Sequence, residues 1–130
     1  MFKIISAIKS VILSRNMLEG KIPTEIGLLS HLMVLDLSVN RLTSALPNQL
    51  WNIRSLEQLL LHENDLEGNA EDISLASNSL MVLSLEENDL LTGTMPQSLC
   101  HLESLGFTCT EELCGCWCDC SRYSFNSTNP

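Results

Sequence analysis

The sequence predicts a solenoid, a chain wound into stacked coils that each contribute a short strand and together bury a continuous core. Three observations carry this expectation. Asn16, Asn40, Asn64 and Asn88 stand 24 residues apart, and a fixed period in that range is the signature of repeat architecture. The apolar residues keep the same register, with Leu32, Leu35, Leu37 and Leu42 answered by Leu56, Leu59, Leu61 and Leu66 and again by Leu80, Leu83, Leu85 and Leu90. Within each coil the L-x-L run puts both leucines on one face of a short strand, so they point inward while the residue between points out.

The asparagine has a physical task. The chain turns sharply after the strand and buries backbone N–H and C=O groups that have no strand partner; an amide side chain can donate to one and accept from another. Replacing Asn40 by Leu should leave such groups unpaired at roughly 1–3 kcal/mol each, whereas Ser38, expected to be exposed, should tolerate alanine.

The stretch Asn16 to Leu29, NMLEGKIPTEIGLL, resembles the plant-type extracellular leucine-rich repeat, whose pattern runs N-x-L-x-G-x-I-P-x-x-[IL]-G-x-L. A second copy, Asn40 to Ile53, reads NRLTSALPNQLWNI, with Ser44 where glycine is usual. The resemblance covers about residues 2 to 105. It implies a right-handed leucine-rich-repeat solenoid, α/β by convention, with a parallel sheet on the concave face and a convex side that is mostly irregular or 3-10. It also implies extracellular recognition, as in receptor-like proteins, receptor ectodomains and inhibitors of secreted enzymes.

Taken in order, residues 1–105 divide into a partial first coil and coils starting near positions 8, 32, 56 and 80. Phe2, Ile5 and Ile8 already lie in register with Ile26, Leu29 and Leu32. Lys9 interrupts the apolar run after five residues, where a signal peptide needs about 7–15. The expectation is an incomplete chain, or else an open first coil that pairs with another molecule through its unpaired edge. Pro23 and Pro47, lacking an N–H, mark the convex side, and Trp51 falls there as a packing or surface residue. In the third coil Ala70 and Glu71 replace the Ile-Pro pair, and Ser74 and Ser77 stand where Ile26 and Leu29 stood. That coil is expected to be the softest, its amides between Asn69 and Asn78 exchanging first. The fourth carries one extra residue, placed at Leu91, which a bulge must absorb.

From Leu99 the character changes. Leu99, Leu102 and Leu105 keep the repeat spacing, but Cys100, Cys109, Cys114, Cys116, Cys118 and Cys120 crowd the end of the array. Residues 106–120 are expected to form a cysteine-rich C-terminal cap, and residues 121–130 a polar tail. An even count at a solenoid end suits three disulfides and an oxidising compartment, with connectivity open. A zinc site is the alternative, but cysteines at every second position point to one side of an extended segment and chelate poorly. LCGCWCDC resembles the cysteine-dense caps of some algal extracellular repeat proteins. Asn126-Ser127-Thr128 matches a glycosylation sequon.

Composition narrows the function. The chain has 130 residues and a net charge of −9, which argues against nucleic acid, whose phosphates call for clustered Lys and Arg. Residues 1–54 carry six basic and three acidic side chains, a balance of +3, so the remainder holds −12. His31, His62 and His101 fall in different parts of the repeat, and no catalytic or phosphate-loop motif occurs. A non-enzyme without cofactor or metal is expected, and no run of about 20 apolar residues spans a membrane. The outward strand positions predict a ligand face: Val34, Asp36, Gln58, Leu60, His62, Glu63, Val82, Ser84, Glu86 and Glu87. Its later half is acidic, fitting a basic peptide or a divalent cation, with His62 as a pH-sensitive neighbour. Expected partners are a protein, peptide or glycan and, through the family, a co-receptor, in signalling or defence at the cell surface. An adhesive matrix component or an inhibitor of a secreted hydrolase is the alternative.

Overall fold

The computed structural model describes residues 7–73, 79–93, 99, 102–109 and 124–127, with side chains as far as residue 106. Residues of the third coil from 74 to 78, His101, and all the cysteines but Cys109 lie outside them. So does the cap chemistry.

Each coil begins with a short strand. These are β1 (Ser10–Ile12), β3 (Val34–Asp36), β5 (Gln58–Leu60) and β7 (Val82–Leu85), joined at the end of the array by β9 (Ser104–Cys109) and β10 (Ser124–Ser127). They form one six-stranded sheet in the order β1-β3-β5-β7-β9-β10, all parallel. Ser10, Val34, Gln58 and Val82 face one another across it, as do Ile12, Asp36, Leu60 and Ser84, which is the predicted register. Residues 124–127, expected as polar tail, pair in parallel with β9 and extend the sheet beyond the last coil.

A second sheet was not foreseen. After each asparagine the chain forms β2 (Glu19–Gly20), β4 (Arg41–Ser44), β6 (Asp65–Asn69) and β8 (Leu90–Thr92), four parallel strands in chain order. Short 3-10 helices then cross the convex side at Thr24–Leu28 and Asn48–Asn52, opened by Pro23 and Pro47. Gly27 permits their close approach, because a Cβ there would sit 2.8 Å from that of Gln49. In the third coil, which lacks the proline, the helix shrinks to Ala70–Asp72 and is capped by Asn69, whose side chain accepts from the Glu71 N–H.

The core is the column of leucines between the two sheets. Leu32, Leu35, Leu59, Leu61, Leu66, Leu83, Leu99 and Leu102 are fully enclosed. Trp51 is buried in it, so it packs and offers no exposed aromatic. Ile73 also enters the core, one position ahead of the column where Ser74 stands. The leucine register needs one correction: Leu90 is exposed and Leu91 is buried. Strands β4 and β6 pair at an offset of 22 residues, β6 and β8 at 23. The extra residue therefore lies in the Asn88–Leu91 turn, and Leu91 takes the core place that Leu42 and Leu66 hold. In the first coil, core positions Ile8, Leu13 and Leu18 are exposed, with no described coil packed on their outer side.

Candidate functional site

The asparagine ladder forms the rail on which the outward face is mounted. Asn64 Nδ2 donates to the carbonyls of Leu61 in its own coil and Leu37 in the preceding one, while its Oδ1 accepts the Leu42 N–H. Asn88 repeats the pattern with Leu85, Leu61 and Leu66, and Asn40 with Leu37, Leu13 and Leu18. Each amide thus stitches its coil to the one before. Asn64 and Asn88 are buried, Asn40 is half-buried, and Asn16 is exposed, bonding within its own coil.

The residue before each asparagine is left-handed: Arg15, Val39, Glu63 and Glu87 have φ of 57°, 54°, 55° and 57°. No glycine announces this turn, and in Val39 a β-branched residue adopts it, so it could not be read from the sequence. The turn brings backbone amides back to the ladder, as Val39 N–H donates to His62 O and Glu63 N–H to Glu86 O.

The predicted face residues do share one surface. Val34, Asp36, Gln58, Leu60, His62, Val82, Ser84 and Glu86 are all half-buried, and Glu63 and Glu87 are exposed at its edge. Ser38 departs from expectation: it is only 3% exposed, because its hydroxyl and its N–H both bond to Asp36 Oδ1, at 2.6 and 3.0 Å. The Asp36 carboxylate is turned onto the segment that follows its own strand.

Two coils further on, the same serine-carboxylate pairing occurs with the positions exchanged. The Ser84 hydroxyl donates to Glu86 Oε2 and lies 2.8 Å from His62 Nδ1. With the hydroxyl proton committed to Glu86, the serine oxygen accepts from His62 Nδ1–H. The Glu86 carboxylate also lies over Gly106, occupying the space a Cβ would need, so glycine is required on β9 beside it. His62, Glu63, Ser84, Glu86 and Glu87 enclose an open depression of about 290 Å³. This relay was not legible in the sequence, although the columns that hold it were.

Among the described residues no three His, Cys, Asp or Glu side chains are grouped to hold a metal ion. His31 lies apart, exposed beside Ser30. Asn126 is on β10. No helix among the described residues is long and apolar enough to cross a membrane.

Comparison with known proteins agrees with this architecture. The leucine rich repeat family models match residues 6–66 and 69–102. Receptor-like protein 31 of Arabidopsis thaliana is 35% identical over 88 residues, which is 67% of this chain and 10% of that protein. A plant peptide hormone receptor, RGFR1, solved in complex with RGF2, superposes with a TM-score of 0.74 at 29% identity, covering 93% of this chain and 20% of the receptor chain. The ectodomain of the receptor kinase SOBIR1 from Arabidopsis thaliana gives 0.73 at 31% identity, over 83% of this chain and 60% of its own. The chain thus spans a tenth of the receptor-like protein's length, and it belongs to the leucine-rich-repeat family, with repeats like those of plant receptor-like proteins and receptor ectodomains.

Proposed function

We propose that this chain is a non-catalytic recognition module that binds an extended peptide across the outward face of the six-stranded sheet, as part of a receptor-like protein at the cell surface. The observation that carries it is the continuity of that face: half-buried side chains on three consecutive parallel strands lead into the depression bounded by His62, Ser84 and Glu86. Val34, Leu60 and Val82 supply apolar contact, and Glu63, Glu86 and Glu87 give the far end a negative potential suited to a basic residue. That RGFR1 is a peptide hormone receptor supports a peptide over a glycan.

The charge test belongs on Glu63 and Glu87, which are exposed, because Glu86 also holds Ser84 and covers Gly106. Immobilised protein is titrated with a panel of synthetic extended peptides, basic, neutral and acidic. The basic peptides should bind best, and the double variant Glu63→Lys, Glu87→Lys should lose at least about tenfold in affinity for them, as expected when two charged contacts are reversed. Equal affinity in the double variant removes this face from consideration.

A further inference from the structure

We propose a second binding site on the convex side, a recess between the second and third coils that takes the apolar-stemmed cationic side chain of a partner polypeptide, arginine or lysine. The recess measures about 310 Å³, at the lower end of the range usual for ligand pockets. It exists because of one sequence change. Ile22 and Leu46 hold corresponding positions in the first two coils, and the third offers only Ala70, whose methyl leaves space open beside Leu46. Ala45 and Gly68 add no bulk beside it, and Leu46, Trp51, Ile73 and Leu91 form its apolar walls.

A space opened by a smaller side chain can close by collapse of its surroundings. Here the walls are held independently. Strand β6 stays paired on both sides, with β4 and β8. Asn69 caps the Ala70–Asp72 turn with a 2.9 Å bond from the Glu71 N–H, and Thr92 Oγ1 donates to Gly68 O at 3.3 Å. Gly93 lies so close against Asn69 Oδ1 that no Cβ could stand there. These contacts keep the recess open.

Its rim decides the occupant. Glu67 and Asp72 stand on it, with Asn48 and Asn69, and no lysine, arginine or histidine is among its described lining residues. An apolar floor under two carboxylates complements a methylene stem ending in a cation, which buries its stem and keeps its charge at the rim. A neutral aliphatic side chain would fill the floor but leave the carboxylates uncompensated, and an acidic one would be repelled.

The probes are N-acetyl-arginine methylamide, N-acetyl-lysine methylamide, their norleucine counterpart and the glutamate counterpart. Each is titrated into ¹⁵N-labelled protein while the amide resonances of Gly68, Asn69 and Ala70 are followed. The basic probes should shift these amides saturably, and the glutamate probe should leave them unmoved. Ala70→Leu, which restores the bulk of Leu46, should abolish the shifts while the melting temperature stays equal or rises. Glu67→Gln with Asp72→Asn, which leaves the volume intact, should weaken the basic probes about tenfold, the scale of a lost charge-assisted contact, and leave the norleucine probe unchanged. Shifts that persist in Ala70→Leu, or basic and norleucine probes that bind equally well, overturn the assignment, as does an absence of shifts with every probe.

Discussion

At the scale of single residues, one amide per coil carries a disproportionate share of the order. Asn64 serves two carbonyls and one N–H in buried surroundings. Asn64→Leu should therefore cost about 1–3 kcal/mol for each group left without a partner, and thermal melts should place it far below Asn16→Leu, whose amide is exposed. Coincident midpoints for the two would mean that the ladder is ornamental. Ser44 makes the opposite case. It stands with φ of 68° where Gly20 and Gly68 hold the same place in their coils at φ of 83° and 113°, and a side chain in that region costs about 1–2 kcal/mol. Ser44→Gly should raise the midpoint despite the entropy that glycine adds to the unfolded chain; a lower midpoint would show that the serine side chain makes up the difference. The serine was visible in the sequence as a departure from the repeat. Its strain was not, nor was the burial of Ser38, because a two-residue bond to Asp36 leaves no periodic trace.

At the scale of elements, the strands and the leucines that line them were legible because a buried face enforces a period, and the pairing of β1, β3, β5 and β7 follows that period without exception. The second sheet was not: β4, β6 and β8 each bury a single leucine, Leu42, Leu66 and Leu91, between exposed neighbours, too short an alternation to announce a strand, and their pairing follows the stitching of successive coils. The fourth coil shows how local chemistry overrides counting. Position 90 continues the spacing, yet the chain spends its extra residue in the turn and buries position 91. Leu91→Ala should cost about 2–5 kcal/mol, the usual range for a buried leucine, and Leu90→Ala close to nothing. Chemical denaturation of the two variants decides between them, and equal losses would restore the uninterrupted register.

For the molecule as a whole, stability is a sum of coils and the interfaces between them, so it is lowest in the coil that buries least. Leu13 and Leu18 are 45% and 38% exposed where Leu37 and Leu42 are 7% and 5%. Amides of Val11 to Leu13 should accordingly exchange with solvent well ahead of those of Leu59 to Leu61, and uniform protection along the array would mean that the first coil is covered. The charge division of the chain, +3 over residues 1–54 and −12 beyond, was legible from composition. The convergence of Glu63, Glu86 and Glu87 on one depression needed the register and the left-handed turn together. The recess beside Trp51 was half legible: the sequence showed that Ala70 replaces a larger residue, but not that the neighbouring strands would stay in place around it.

The stitching has a direction. Leu42 N–H and the Leu37 carbonyl are satisfied by Asn64, which lies in the coil that follows, and Leu66 N–H and the Leu61 carbonyl by Asn88, so neither the second coil nor the third completes its own turn. During synthesis, a coil leaving the ribosome must wait for about 24 more residues before its turn can close, and the fold advances one coil behind the growing end. Stalled chains ending just before Asn64 should be cut by protease within the second coil, and chains a few residues longer, once clear of the exit tunnel, should resist there.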